Sequence, residues 1–264
     1  MRLGPAFVSF FAAVAMSSAP EPPSATLPAR AFARRAAFVA ALALGALCCG
    51  RAEAKPVDVA LVLAIDVSES VDAGEYRLQH EGIARAFENS GVIDAIRGGP
   101  HGAIEATVLE WSDRDKQVVT VPWTLVSDGK SGAAFAAAVR ATTRSSAGLT
   151  AIGDALLASA AAFERMPAPA DRRIIDISGD GMANIGPPPD AVRDALVAKG
   201  ITINGLAILK TEPWLDQYYD QYVVGGEHSF LLKVEDFQSF ATAIQQKLLG
   251  EISLLALPRA GAGG

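Results

Sequence analysis

The chain has 264 residues, half of them hydrophobic, and a formal net charge of −6. Such an acidic balance disfavours nucleic acid and anionic lipid as partners. Five of the 23 basic residues and two of the 29 acidic ones precede Lys55, as do both cysteines, Cys48 and Cys49, so the remainder is more acidic still and must stand on its core without a disulfide.

Residues 1–54 differ in character from the rest of the chain. Arg30, Arg34 and Arg35 precede the apolar run Ala36 to Leu47, and Ala52-Glu53-Ala54 closes the segment. A basic stretch, a short apolar stretch and an A-x-A site make a secretory signal, with cleavage expected after Ala54 and a periplasmic or secreted destination. The apolar run is short of the roughly 20 residues a bilayer needs. Met1 to Pro28 is unusual for a signal, with Met16 as an alternative start, and it reads as a mis-assigned N-terminal extension. Cys48 and Cys49 follow Leu47 and Cys48, not the small residue that a lipid-attachment site prefers.

From Lys55 the pattern alternates. Val57 to Ile65 is a nearly continuous apolar run, as in a strand buried on both faces. Asp72-Ala73-Gly74-Glu75 opens a helix as a capping box, and Tyr76, His80, Ile83 and Phe87 form its apolar stripe. His80 in that stripe reads as packed and hydrogen-bonded. Ala103 to Trp111 is a second strand and Gln117 to Pro122 a short third, close enough to pair with it as a hairpin. Ser131 to Arg144 is Ala-rich and helical. Thr150 begins a helix with Ile152, Leu156 and Phe163 inward. Arg173 to Ser178 is a fourth strand, ended by Gly179-Asp180-Gly181. Pro187-Pro188-Pro189 leads into a helix that reaches Lys199 and stops at Gly200. Ile201 to Leu209 is a fifth strand, Trp214 to Tyr222 a short aromatic helix, Ser229 to Val234 a sixth strand, and Asp236 to Ile252 a closing helix. Residues 254–264 read as a disordered tail.

Alternating strands and helices predict one α/β domain over residues 55–253. Its sheet is doubly wound, six-stranded and mostly parallel, with helices on both faces. In such sheets ligands bind beyond the carboxyl ends of the strands, where strand order reverses. Asp66 and Asp180 stand at such ends. Asp66, Ser68 and Ser70 alternate past the first strand, so three oxygens can face one point. With Thr150 and Asp180 they supply two carboxylates and three hydroxyls, and such hard ligands suit Mg²⁺, Mn²⁺ or Ca²⁺. Taken singly, each piece has a plainer reading: the Asp66 triplet as a turn or helix cap, Thr150 as an N-cap, Asp180 as a turn residue.

The run Val59 to Ile65 with Asp66-Val67-Ser68-Glu69-Ser70, then Gly148-Leu149-Thr150-Ala151-Ile152-Gly153, then Ile175-Asp176-Ile177-Ser178-Gly179-Asp180-Gly181, resembles the von Willebrand factor A domain family over residues 57–252. Glu110-Trp111, Arg173 to Gly181, Ile203-Asn204-Gly205-Leu206 and Val223-Val224-Gly225-Gly226 are similar to an uncharacterised family of exported proteobacterial proteins that carry such a domain. The resemblance implies a metal-ion-dependent adhesion site. Ser68, Ser70 and Thr150 would be its hydroxyl ligands, and Asp66 and Asp180 would bind directly or through water. It also implies an antiparallel edge strand at Gln117 to Pro122, and a protein partner that offers an Asp or Glu carboxylate, with no catalysis. Ser178-Gly179 stands where Leu-Thr is more usual.

Two rival readings remain. Gly179-Asp180-Gly181 after an apolar strand, with Asp66 as nucleophile, is similar to a haloacid-dehalogenase-like phosphohydrolase using Mg²⁺. The acid such chemistry needs two residues after the nucleophile is Ser68 here. The other rival is a structural module with a vestigial metal site. Trp111, Trp123, Trp214 and Tyr218-Tyr219 serve either as core or as the rim of a partner surface.

Overall fold

A computed structural model describes residues 54–253; the expected signal segment and tail lie outside the described residues. β1 (Val57–Asp66) runs through the middle of the sheet, and all ten of its residues are buried. The other strands are β2 (Ile104–Trp111), β3 (Gln117–Val126), β4 (Ala170–Gly179), β5 (Ile201–Ile208) and β6 (Leu231–Val234), in the order β3-β2-β1-β4-β5-β6. All pairings are parallel except β2 with β3, which is antiparallel at the edge. The order reverses between β1 and β4, where Ile65 pairs with Ser178.

Side chains of β1 alternate between two cores, as the period of two requires. Val59, Leu61, Leu63 and Ile65 pack with helices α1 (Ala73–Glu88), α2 (Ser90–Arg97), α3 (Gly129–Arg140) and α7 (Phe240–Ser253). Ala60, Val62 and Ala64 pack with α4 (Ile152–Phe163), α5 (Pro189–Val197) and α6 (Leu215–Tyr222) on the other face.

The elements follow the sequence reading, with instructive differences in extent. Asp72 caps α1 with the expected box, its side chain accepting from Gly74 N and Glu75 N while Glu75 accepts from Asp72 N. The expected stripe lies wholly within α1, and a second helix, α2, follows that the sequence reading did not place. Asn89 ends α1 in extended conformation, and its side chain accepts from Gly91 N at 2.9 Å to cap α2. β3 continues through Pro122 to Val126, which an edge strand tolerates because no neighbour needs the missing N–H; a register irregularity lies opposite. The Ala-rich helix begins earlier than expected, capped by Asp128, and stops at Arg140, four residues short of Arg144. The closing helix is preceded by a separate 3₁₀ turn, Phe237–Ser239, capped by Asp236.

The packing of α3 on α1 depends on one glycine. A Cβ at Gly132 would lie 2.5 Å from the carbonyl oxygen of Phe87 and 2.7 Å from Ile93 Cδ1, whereas a Cβ at Gly129 would meet nothing within 4 Å. Gly132→Ala should therefore destabilise the domain by about 1–3 kcal/mol through overpacking. Gly129→Ala, relieving only the glycine cost in a helix, should be neutral or stabilising by up to ~1 kcal/mol. Urea unfolding of the two variants measures both, and equal effects would show that the helix contact is not close-packed.

Candidate metal centre

Two carboxylates are brought to the point where the sheet reverses. Asp66, the last residue of β1, is wholly buried, and Asp180, directly after β4, is 1 % exposed. Asp66 Oδ1 accepts from Ser68 N at 2.7 Å, so the chain turns at once and sets Ser68 and Ser70 on one side. Their hydroxyls lie 3.2 Å apart, and Ser70 Oγ donates to Asp180 Oδ1 at 2.6 Å across 110 residues. Ser68 is buried, while Ser70 and Glu69 are exposed, so this loop is the rim between core and solvent.

Thr150 arrives from the third loop. Its backbone is clasped by Asn184: Thr150 N donates to Asn184 Oδ1 at 2.8 Å and Asn184 N donates to Thr150 O at 3.1 Å. The N-cap position of α4 falls on Ala151, which supplies no side-chain cap, so Thr150 is not the cap residue its sequence position suggested. Its hydroxyl instead faces the Asp180 turn, for a Cβ built on Gly181 would sit 3.8 Å from Thr150 Oγ1. The first and third loops are also tied by their backbones, Glu69 N donating to Gly148 O at 2.9 Å. Gly148 holds φ +134, a conformation other residues avoid.

The residue pair that departs from the usual Leu-Thr has a steric reason. A Cβ at Gly179 would lie 2.6 Å from the Tyr219 hydroxyl and 2.9 Å from Asp66 Oδ2. Glycine here lets the buried phenol of Tyr219, on α6, reach the floor of the site. Burial, then the charges of Asp66 and Asp180, holds that phenol well above its ordinary pKa.

Among the described residues, Asp66 Oδ2, Asp180 Oδ2 and the Tyr219 hydroxyl have no hydrogen-bond partner, although all are buried. Burial, and then the neighbouring charge of Asp180, pushes the Asp66 carboxyl up to about 7. Burial raises Asp180 too, against the opposing hydrogen bond from Ser70. Two facing carboxylates with orphaned buried oxygens are costly as they stand. A small divalent cation satisfies both, and the surrounding hydroxyls suit such an ion. The five residues therefore fit a hard cation.

A second tier holds this site in place, and nothing in its sequence spacing announces it. Arg144 donates from Nη2 to the carbonyl oxygens of Val67 and Ser68, at 2.7 and 2.6 Å, and from Nε to Ser146 O. Buried Glu110 accepts from the Tyr76 hydroxyl at 2.8 Å and from Ser145 N at 2.7 Å, and contacts His80 Nε2 at 3.1 Å. His80 is thus packed and hydrogen-bonded, as its stripe position suggested. Gln79 Nε2 donates to Asp66 O. At the rim, Lys210 pairs with Glu75 at 2.5 Å, and Leu149 and Trp214 are exposed. Trp111 and Tyr219 are core.

A different group, Asp58, His101 and Asp171, has ligand atoms within 4.8 Å of one another and could hold a metal. Asp58 is the second residue of β1 and Asp171 the second of β4, so this group stands at the opposite end of the sheet. Both Asp58 oxygens already accept backbone amides, from His101 and Ala103. That arrangement clamps the loop ahead of β2.

No curated protein matches the sequence. Among solved structures, the fold is similar to proximal thread matrix protein 1 from the mussel byssus with a zinc-occupied MIDAS motif, at 20 % identity and TM-score 0.53, covering 78 % of this chain and 49 % of that one. It is also similar to a von Willebrand factor type A protein from Catenulispora acidiphila, at 17 % identity and TM-score 0.53, covering 75 % and 43 %. The pilus adhesin SpaC from Lactobacillus rhamnosus GG matches at 12 % identity and TM-score 0.52, covering 74 % and 31 %. The chain thus spans half or less of the length of these structures. A family model described as protein of unknown function DUF1194 matches residues 56–256. The fold is that of a von Willebrand factor A domain, and the chain belongs to the DUF1194 family.

Proposed function

We propose that this protein is an exported, cation-dependent protein-binding module and not an enzyme. One divalent ion, magnesium in first place and Mn²⁺ or Ca²⁺ as alternatives, would be held by Asp66, Ser68, Ser70, Thr150 and Asp180. The observation that carries this reading is the pair of buried oxygens, Asp66 Oδ2 and Asp180 Oδ2, that accept nothing among the described residues. Bound there, the ion supplies positive charge and a coordination position for an outside oxygen. The chain's own residues do the rest. Asp66 and Asp180 provide the charge, the hydroxyls orient without cancelling it, and the exposed rim at Glu69, Ser70 and Leu149 admits a partner's Asp or Glu.

Several facts support binding over catalysis. The place of the general acid in the phosphohydrolase reading belongs to Ser68, whose hydroxyl neighbours that of Ser70. The byssus protein named above has zinc in its own motif, and SpaC is a pilus adhesin. Among the described residues no helix is long and apolar enough to cross a membrane. The signal-like segment before Lys55 supports export to the periplasm or beyond.

Isothermal calorimetry with Mg²⁺ and Mn²⁺ tests the site. The wild-type protein should bind one ion, and at a hundredfold excess over its dissociation constant that ion should add about 2.7 kcal/mol to the unfolding free energy. Asp66→Ala should lose both the heat and the stabilisation while keeping the far-UV spectrum of the fold; undiminished binding by this variant would refute the assignment. Arg144→Ala removes the clamp on the Val67 and Ser68 carbonyls without touching a ligand. Its affinity should fall by about 10–100-fold, as is usual when the support of a ligand loop is lost; unchanged affinity would show that the loop is held without it.

A further inference from the structure

Away from the metal centre, the sheet and the last helix bury a set of charges. Asp176, in the middle of β4, projects into the core beneath α7 and is 2 % exposed. Lys247 and Glu251, one turn apart on α7, are 0 % and 1 % exposed. Lys247 Nζ lies 2.7 Å from Asp176 Oδ1 and 2.6 Å from Glu251 Oε1. Asn204, paired with Asp176 across β5, donates from Nδ2 to Glu251 Oε1 at 2.7 Å and accepts from Phe230 N at 3.0 Å. The Phe230 ring covers the ammonium at 5.3 Å. Arg172 is the other cation here, and it donates to the Glu251 backbone carbonyl.

Three features are unusual for a plain ion pair. The set is almost wholly buried, where an ion pair is a weak stabiliser because desolvation opposes its Coulomb attraction. Its direct contact joins two carboxylates to one lysine, while the Arg172 guanidinium stands outside that contact on the Glu251 carbonyl. Among the described residues Asp176 accepts no hydrogen bond on either oxygen, so the close Lys247 contact lacks hydrogen-bond geometry. Burial, then the charge of Glu251, holds the Asp176 carboxyl above its ordinary range, which favours the protonated acid.

From this geometry we propose that Lys247 and Asp176 condense to an intramolecular amide, with Glu251 as the catalytic acid–base, stapling the centre of the sheet to the last helix. The reaction is redox-neutral and needs no co-reactant. Lys247 passes a proton to Glu251, and the free amine attacks Cγ of the protonated Asp176 carboxyl. The Nζ–Cγ bond forms and the Cγ–OH bond breaks. Glu251 returns its proton to the departing hydroxyl and takes one from Nζ, so it begins as a carboxylate and ends as the protonated acid, holding the proton that the ammonium carried. The products are a secondary amide and one water. Reacting groups already held in contact need little further ordering, and a carboxyl at hydrogen-bond reach is placed for the proton transfers. In water the reaction is opposed because both reactants ionise. Here burial penalises those ions, while a neutral amide can keep a hydrogen bond to Glu251.

Mass spectrometry of the purified full-length chain decides the matter. The wild type should be one water, about 18 Da, lighter than the mass of its own termini and sequence. Trypsin should then leave residues 174–193 joined to residues 234–259, uncut at Lys247. Glu251→Gln should restore the water and yield both peptides separately, cut at Lys247. A wild type at full mass that trypsin cleaves at Lys247 would overturn the proposal and leave a non-covalent ion cluster. Should Glu251→Gln fail to fold, the wild-type peptide map alone is decisive, since the joined peptide is either present or absent. A joined peptide that persists undiminished in a folded Glu251→Gln would overturn the catalytic role of Glu251.

Discussion

Asp66 and Asp180 are forced together by the topology of the sheet. β1 and β4 are parallel neighbours at the place where strand order reverses, so the residues that end them leave the sheet side by side. Both carboxylates are buried, and each keeps an oxygen without a partner. Like charges in a low-dielectric setting repel, and burial penalises each of them. The rest of the site can be understood as the response to that constraint. Ser68 N and Ser70 Oγ each accommodate one oxygen, Gly179 leaves the space, and the remaining two oxygens mark where a cation would sit.

Three of the places where this domain buries charge differ in how far that charge is satisfied. At the amino end of the sheet Asp58 accepts two backbone amides and is complete. In the middle, Asp176 and Glu251 share Lys247, with Arg172 alongside. At the carboxyl end, Asp66 and Asp180 each keep an oxygen without a partner among the described residues. The order matches the roles assigned. A satisfied aspartate clamps a loop, a buried charge cluster ties a helix to the sheet, and an unsatisfied pair is suited to a cation from outside. The same end of the sheet carries the exposed rim, so the unsatisfied charge is the one that solutes can reach.

The fold was legible because its signals are local. The apolar run of β1, the Asp72 capping box and the glycine after α5 each need only a few neighbouring residues to be recognised. Two loops of the site were legible for the same reason, since Asp66-Val67-Ser68-Glu69-Ser70 and Gly179-Asp180-Gly181 carry their pattern within five residues. What the spacing hid was long-range. Arg144 meets Ser68 across 76 residues, and Glu110 meets Tyr76 across 34. Tyr219 belongs to a short aromatic helix whose inward ring is chosen by α6 packing. Lys247 is the plainest case: a lysine in an amphipathic helix reads as solvent-facing, and only the position of Asp176 on the sheet shows why it turns inward. For Thr150 only the plainer reading as an N-cap fails, because the cap position lies one residue later.

The central claim is that the two orphaned carboxylate oxygens share one cation. A crystal soaked in MnCl₂, with diffraction recorded at the manganese edge, locates that ion without reference to any activity. The strongest anomalous peak should lie between the Asp66 and Asp180 carboxylates, within coordinating distance of the Ser68 and Ser70 hydroxyls. A map with no peak there, or with its main peak at Asp58, His101 and Asp171, would contradict the account.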